Sequence, residues 1–434
     1  MPKGGERLRV LHLITNSLPH TQSGYALRTH SILRALAVRG IESLALTRTG
    51  YPVMVGKPLC GDEDVIDGIH YRRTLPAVLG ITPEERLDEE VAQAVRLVAE
   101  FRPQMLHATT DYRNALVAQA VSAATGIPWV FEVRGLMEQT WIASHRSAAT
   151  RAVAAGSEKV RRIIAAEASL AREAGAVVTL SQSMANVLVE RGVPAERITL
   201  VPNGVDETLL AEDLTPAKAR ACVQTGIPED SLAVGAVSAL VDYEGFDVLL
   251  RAVAAVLANT SVPSGLRERL QVVLVGDGVS APSLRVLAAD LGIEDRLHMP
   301  GRVPAKDARI WVQALDLVII PRKDLEVTRT VTPQKPAEAL ALGRPVLVSD
   351  LPAMRETIRS DDGDLIGATF KADDPAALAA ELVALLTDDA RRRALSLKGR
   401  ALAAERTWPA MMRRYVRAYQ SAARRNAEET TSGE

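Results

Sequence analysis

Residues Val331 to Asp350 read VTPQKPAEALALGRPVLVSD. A polar opening, an Ala/Leu-rich middle from Ala337 to Leu342, a Gly343-Arg344-Pro345 break and the apolar Val346-Leu347-Val348 give loop, helix, turn and buried strand in succession. That is one repeat of a parallel α/β sheet. In such sheets ligands gather where the carboxyl end of a strand meets the next helix, because backbone N–H groups and the positive end of the helix dipole converge there. Here the strand is the apolar run Leu315 to Pro321, and the next helix is that of Glu338. Between them the chain carries Arg322, Lys323, Arg329, Thr330, Thr332 and Lys335. Cations at this junction suit a diphosphate, and one acidic residue a turn further in suits a ribose diol. Taken singly, such cations are solvated loop residues and such a Glu complements the dipole. Their combination, in the order a nucleotide presents its parts, argues for a site.

PAEALALGRPVL resembles the donor-binding segment of the family-4 retaining glycosyltransferases, whose usual pattern is Glu, seven residues, Glu, small apolar residues and Gly-x-Pro-Val. Eight residues before Glu338 stands Thr330 in place of the first Glu, and VTPQKP replaces a Phe-Gly-Leu-like run. A branch of that family from bacterial surface-polysaccharide clusters reads Val-Thr-Pro-x-Lys-Pro after Pro-Arg, and PRKDLEVTRTVTPQKP is similar to it. The resemblance implies the GT-B fold, an α/β architecture of two doubly wound Rossmann-like domains facing across a cleft. It also implies donor-binding roles for Thr330, Thr332, Pro333, Lys335 and Glu338. The first Glu of the family pattern holds a donor-sugar hydroxyl, so Thr330 bears on which sugar is carried.

A length of 434 residues predicts two or three domains, each able to bury a core. With 52 basic against 53 acidic residues the net charge is -1, which provides no global field for nucleic acid or an anionic membrane. The two cysteines, Cys60 and Cys222, lack the spacing of a disulfide framework or a zinc site, as expected of a reducing cytoplasm. The short apolar run at the N-terminus is broken by His12 and Asn16 and reads as a first strand, not a signal peptide. No stretch approaches a membrane span. Membrane contact is expected to be peripheral at most, at the inner face.

Leu8 to Ile14 is the first strand, and NSLPHTQSGY leads into a helix beginning near Tyr25. Gly24 lets backbone approach a phosphate, and by the resemblance this loop, with Ser23 and Tyr25, meets donor or acceptor. Further on, His107 stands at a strand end as an acceptor-side candidate, and Thr109 to Asp111 either cap the next helix or, with Asp111, face the acceptor. In the run PWVFEVRG, alternation points Glu132 and Arg134 to one side of a buried strand. Charges so placed pair with one another or serve a site. The resembling branch also has Glu-Val-Arg where many family members have a His near the reacting sugar. Glu132, Arg134 and, on the acceptor side, Glu138 are therefore candidates, a strand-end ion pair being the alternative.

Pro202-Asn203-Gly204 breaks the regular structure, and in the family Pro-Asn-Gly-Val-Asp marks the crossing between domains. The expected divisions are 7–204, 205–405, a helix over 406–425 that crosses back to the first domain, and a disordered polar tail over 426–434. In the second domain the common family form places Arg and Lys after the first strand, where this chain has Ala239 and Glu244. A diphosphate still needs cations, so Arg322 and Lys335 are expected to supply them. Arg302 and Val303 correspond to a segment that meets the base. Gly276-Asp277-Gly278 lacks the third glycine of a dinucleotide fingerprint, and no nicotinamide site is read.

The resemblance implies transfer of a sugar with retention, from a nucleotide-sugar (a UDP-sugar favoured) to a sugar, lipid-linked or small-molecule acceptor. No cofactor or metal is expected, and Arg134, Glu132, Arg322 and Lys335 form the catalytic set. Two other readings stand beside it: a nucleotide-sugar 2-epimerase on a similar scaffold, and a catalytically silent nucleotide-sugar-binding partner protein.

Overall fold

Short apolar runs alternating with helices build two separate sheets, one in each of two units of a computed structural model that describes residues 7–145, 147–212, 214–223 and 226–432. The first unit comprises the chain up to Pro202 together with the part from Trp408 onward, and the second runs Asn203–Thr407. The chain thus passes between the units at Pro202–Asn203 and again at Thr407–Trp408.

The first unit holds eight strands: β1 (Arg9–Ile14), β2 (Glu42–Thr47), β3 (Glu63–Ile66), β4 (Ile69–Arg72), β5 (Met105–Thr109), β6 (Trp129–Val133), β7 (Ala176–Thr179) and β8 (Ile198–Leu200). Their order is β3-β4-β2-β1-β5-β6-β7-β8. All neighbours are parallel except β3 and β4. The final helix, Trp408–Ser432, lies in this unit. Trp408, Met412, Tyr415 and Tyr419 fill a core with Val10, Ile32, Leu36, Met105, Val130 and Val178, which joins the chain's last element to its first strands. The helix continues to Ser432, past the Asn426 at which a disordered tail was expected. Asn426 donates to Gly126 O at 3.1 Å, and Ala427 and Glu428 favour the helix.

The second unit contributes β9 (Leu232–Val237), β10 (Leu270–Val275), β11 (Leu297–Gly301), β12 (Leu317–Ile320), β13 (Val346–Ser349) and β14 (Ala368–Phe370), in the order β11-β10-β9-β12-β13-β14. Every pair is parallel. Leu270, Val272 and Leu274 of β10 enter one core while Val273 and Val275 enter another, so this strand is apolar on both faces, as a sheet covered by helices on each side requires. Among the described residues no helix is long and apolar enough to cross a membrane.

Strand order reverses direction beside β1 in the first sheet and beside β9 in the second. Loops leaving neighbouring strands part to opposite sides there, which leaves a crevice at the carboxyl ends. In the second unit these are the loops after β9 and β12.

Candidate functional site

The loop after β9 ends in Asp242-Tyr243-Glu244-Gly245, and only glycine fits its last position. Gly245 has φ +74°, and a Cβ there would stand 1.9 Å from Pro321 O at the end of β12. Lys323 N donates to Tyr243 O at 3.0 Å. One turn is thereby pressed against the next strand's exit, and Glu244 meets Arg322. Ser238, at the start of the same loop, is pressed in turn by Gly276, where a Cβ would fall 1.9 Å from Ser238 O.

Glu244 is 3% exposed. Its Oε1 accepts from Arg322 Nη2 at 2.8 Å and its Oε2 from Lys335 Nζ at 3.0 Å. Burial pushes the carboxyl up, but Arg322 and Lys335 outweigh burial and hold it at about 2. Lys335 also donates to Ser238 Oγ, and Arg322 Nη1 to Val331 O. The two cations expected to meet a diphosphate are therefore brought together, with a carboxylate between them that the sequence marked only as a departure. Arg322 Nε and Thr332 Oγ1 are buried and without a hydrogen-bond partner among the described residues.

The neighbouring candidates fall on the same stretch. Thr330 Oγ1 donates to Glu326 O at 2.9 Å at the end of a short helix, Glu326–Thr330, that the sequence read as loop. Pro333 is buried, and Asn203 Nδ2 donates to Thr332 O at 3.3 Å. Glu338 lies in the first turn of Lys335–Ala341, where burial pushes its carboxyl up and Lys335 pulls it back in part. Arg302 and Val303 lie on the loop after β11, Arg302 exposed and Val303 packed on the core.

In the first unit Glu132 is fully buried on β6. Its Oε1 accepts from Arg28 Nη2 at 3.0 Å and Tyr415 Oη at 2.7 Å, and its Oε2 from Arg134 Nη2 at 2.8 Å and His107 Nε2 at 3.1 Å. A carboxylate only accepts, so His107 carries its proton on Nε2 and takes the Tyr419 hydroxyl on Nδ1 at 2.8 Å. Burial would raise the Glu132 carboxyl, but Arg134, Arg28 and His107 hold it well below the usual range. Glu132, Arg134 and His107 thus form one network that also ties down the final helix. Arg134 reaches Thr29 Oγ1 at 2.7 Å and Tyr25 O at 3.2 Å, with Nε buried and unpartnered among the described residues.

Two other candidates belong to separate networks. Asp111 caps the helix Tyr112–Thr125 through Arg113 N and pairs with Arg48 and Arg113. Glu138 is fully buried on Arg191, which it shares with Glu167. Ser23 caps the helix Gly24–Val38 through Ala26 N, and Gly24 and Tyr25 are exposed beside it. Arg28, Tyr415, Tyr419, Arg191 and Glu167 were not read as part of any charged network. A signal existed for Arg28, which sits one helical turn before Ile32 and two before Leu36, on the apolar face.

Residues 23–204 match the family described as glycosyl transferase 4-like domain, and residues 218–402 match glycosyl transferases group 1. D-inositol 3-phosphate glycosyltransferase 1 of Catenulispora acidiphila is 27% identical over 439 positions, covering 96% of each chain. The D-inositol 3-phosphate glycosyltransferase of Thermobispora bispora is 32% identical over 238 positions, 54% of this chain and 52% of that one. Among solved structures, Anabaena Alr3699/HepE in complex with UDP superposes with a TM-score of 0.70 at 17% identity, covering 95% of this chain and all of that one. Sucrose-phosphate synthase of Thermosynechococcus elongatus gives 0.73 at 19% identity, covering 95% and 98%.

Proposed function

The chain belongs to the glycosyltransferases of the GT-B fold, and on that premise we propose that it moves a sugar, with retention, from a nucleotide-sugar to a sugar, lipid-linked or small-molecule acceptor. The observation that carries this reading is the pair Arg322 and Lys335 at the sheet's switch point, with Arg322 Nε and Thr332 Oγ1 buried beside it and unpartnered among the described residues. Polar atoms left so in a native fold call for a missing partner, and a diphosphate is rich in acceptors. Glu338 then takes the ribose diol. Anabaena Alr3699/HepE, of the same fold, forms a complex with UDP-glucose, which favours a UDP-sugar.

In this reading the bond from the anomeric carbon to the diphosphate oxygen breaks first. Arg322 and Lys335 stabilise the charge that develops on the leaving oxygen, an effect of preorganised cations in a site shielded from water. The acceptor hydroxyl attacks on the same face, and its proton passes to the diphosphate oxygen. No side-chain nucleophile enters, and the two cations serve in place of a metal. Arg134 stands on the acceptor side, held by Glu132. The enzyme would work in the cytoplasm with at most peripheral membrane contact.

A thermal-shift screen against UDP, GDP, dTDP, ADP and their common sugars tests this, because a ligand that binds only the native state raises the midpoint. A shift with one nucleotide, lost in Lys335→Ala, supports the donor site. No shift with any of them returns the reading to analogy of fold. Since Thr330 and Glu244 depart from the family pattern, a silent binding partner is the second reading; it predicts binding without turnover over a panel of acceptors. Conversion of a UDP-sugar without acceptor would instead favour an epimerase.

A further inference from the structure

Two cations side by side, Arg322 buried and Lys335 half-buried, repel each other, and each has lost water. Both effects favour splaying the pair or discharging the lysine, since a guanidinium does not give up its proton in a protein. Arg322 and Lys335 are not splayed, because both of their bonds to a carboxylate go to Glu244. That residue cannot move away: Gly245 lies against Pro321 O, and Lys323 N is bonded to Tyr243 O. Arg322 Nη1 and Lys335 Nζ donate their second bonds to Val331 O and Ser238 Oγ. Arg322 Nε stays without a partner among the described residues.

The geometry points to Glu244 as the positioning residue of the phosphate site, holding Arg322 and Lys335 in one arrangement through its two oxygens. This rests on the donor reading above. Glu244 has both oxygens occupied, so it acts through the two cations and not on the donor. With the lysine protonated the trio carries one net positive charge, and the Glu244 charge raises the pH at which the lysine gives up its proton. Burial lowers the Lys335 pKa and Arg322 lowers it further, while Glu244 and, on its own helix, Glu338 raise it. Without the Glu244 charge, Lys335 loses its proton at a lower pH and the site loses half of its cationic pair.

The test is isothermal titration of the full-length chain with UDP, GDP, dTDP and ADP at pH 7.5 and 9, where the terminal phosphate is already ionised. Lys335→Ala should lose about tenfold or more in affinity for the preferred nucleotide at both values. Glu244→Gln keeps the shape without the charge. Its affinity should fall about tenfold or more between the two pH values while the parent chain stays level, the limit for one proton being tenfold per pH unit. Glu244→Asp keeps the charge but is a methylene shorter, so it should bind several-fold more weakly with a level profile. Parent-like affinity and a level profile in Glu244→Gln, with binding lost in Lys335→Ala, would overturn the inference. Should Glu244→Gln not fold, unchanged affinity in Glu244→Asp overturns it. Failure of the parent chain to bind any of the four nucleotides would instead remove the donor site itself, and the inference with it.

Discussion

Tyr415 donates its hydroxyl to Glu132 Oε1 at 2.7 Å, across 283 residues of sequence. The same oxygen accepts from Arg28, and the other from Arg134 and His107, whose far nitrogen receives Tyr419. A buried strand end whose carboxylate is paired with Arg28 and Arg134 is closed by a helix from the far end of the chain. Packing of Trp408, Met412 and Tyr415 brings the helix there, and the hydroxyls fix its register.

Glu132→Gln should therefore destabilise the first unit before it reports on catalysis. It leaves Arg28 and Arg134 buried without their carboxylate, a loss of about 3–5 kcal/mol. Tyr415→Phe removes the hydroxyl that donates to Glu132 and accepts from Arg28 Nη2, and should cost about 1.5–3 kcal/mol or more. Urea unfolding checks both. A fully stable Glu132→Gln chain with activity lost would show that Glu132 acts chemically.

Much of this was legible in sequence, and the limits were physical. Val346-Leu347-Val348 and Leu315 to Pro321 showed as strands because a doubly covered parallel strand is apolar throughout. The strand-end charges of PWVFEVRG were visible too, but their partners were not. Arg28, His107 and Tyr415 meet Glu132, and Tyr419 meets His107, only once four distant segments have packed, and no local pattern encodes that. Glu244 stood out as a missing lysine, while its bonds to Arg322 and Lys335 depended on Gly245 seating against Pro321. The antiparallel β3 and the helices Met137–Ala143 and Ala148–Ala155 were missed because short, half-exposed segments carry little periodic signal.

The Glu138, Glu167 and Arg191 group predicts a dependence on pH. One guanidinium serves two buried carboxylates, and burial with the Glu138 charge pushes Glu167 up to about 8. A carboxyl with a raised folded pKa binds its proton more tightly in the native state. Its contribution is present below the ordinary carboxylate range and is lost as pH rises through about 8. Glu167→Gln cannot ionise and should lessen the fall in stability between pH 6 and 9 by about 1 kcal/mol or more. Unfolding midpoints at the two values decide it, and parallel declines in parent and variant would sink the assignment.

Charge removal should act selectively. Lys335→Ala and Arg322→Ala each take a cation from the switch-point loop and should slow transfer by about tenfold or more, the equivalent of about 1.4 kcal/mol in the transition state. Arg414 instead donates to Leu200 O at 3.1 Å in the other unit, and Arg414→Ala should leave the rate within about twofold. Equal, small effects in all three would separate Arg322 and Lys335 from donor chemistry.

Gly245 and Gly226 offer a matched comparison for how the loop after β9 is built. Both belong to the second unit and both have positive φ, +74° and +70°. A Cβ at Gly226 would meet nothing within 4 Å, whereas at Gly245 it would stand 1.9 Å from Pro321 O. Each alanine carries the left-handed backbone cost of about 1–2 kcal/mol. Only Gly245→Ala must also push Pro321 and Lys323 away from Tyr243, and the shift moves Glu244 off Arg322 and Lys335. Gly226→Ala should lower the unfolding midpoint and leave nucleotide affinity alone. Gly245→Ala should lower it further and weaken the affinity as well. Equal affinities in the two variants would mean that the seat of Gly245 on β12 does not set the position of the two cations.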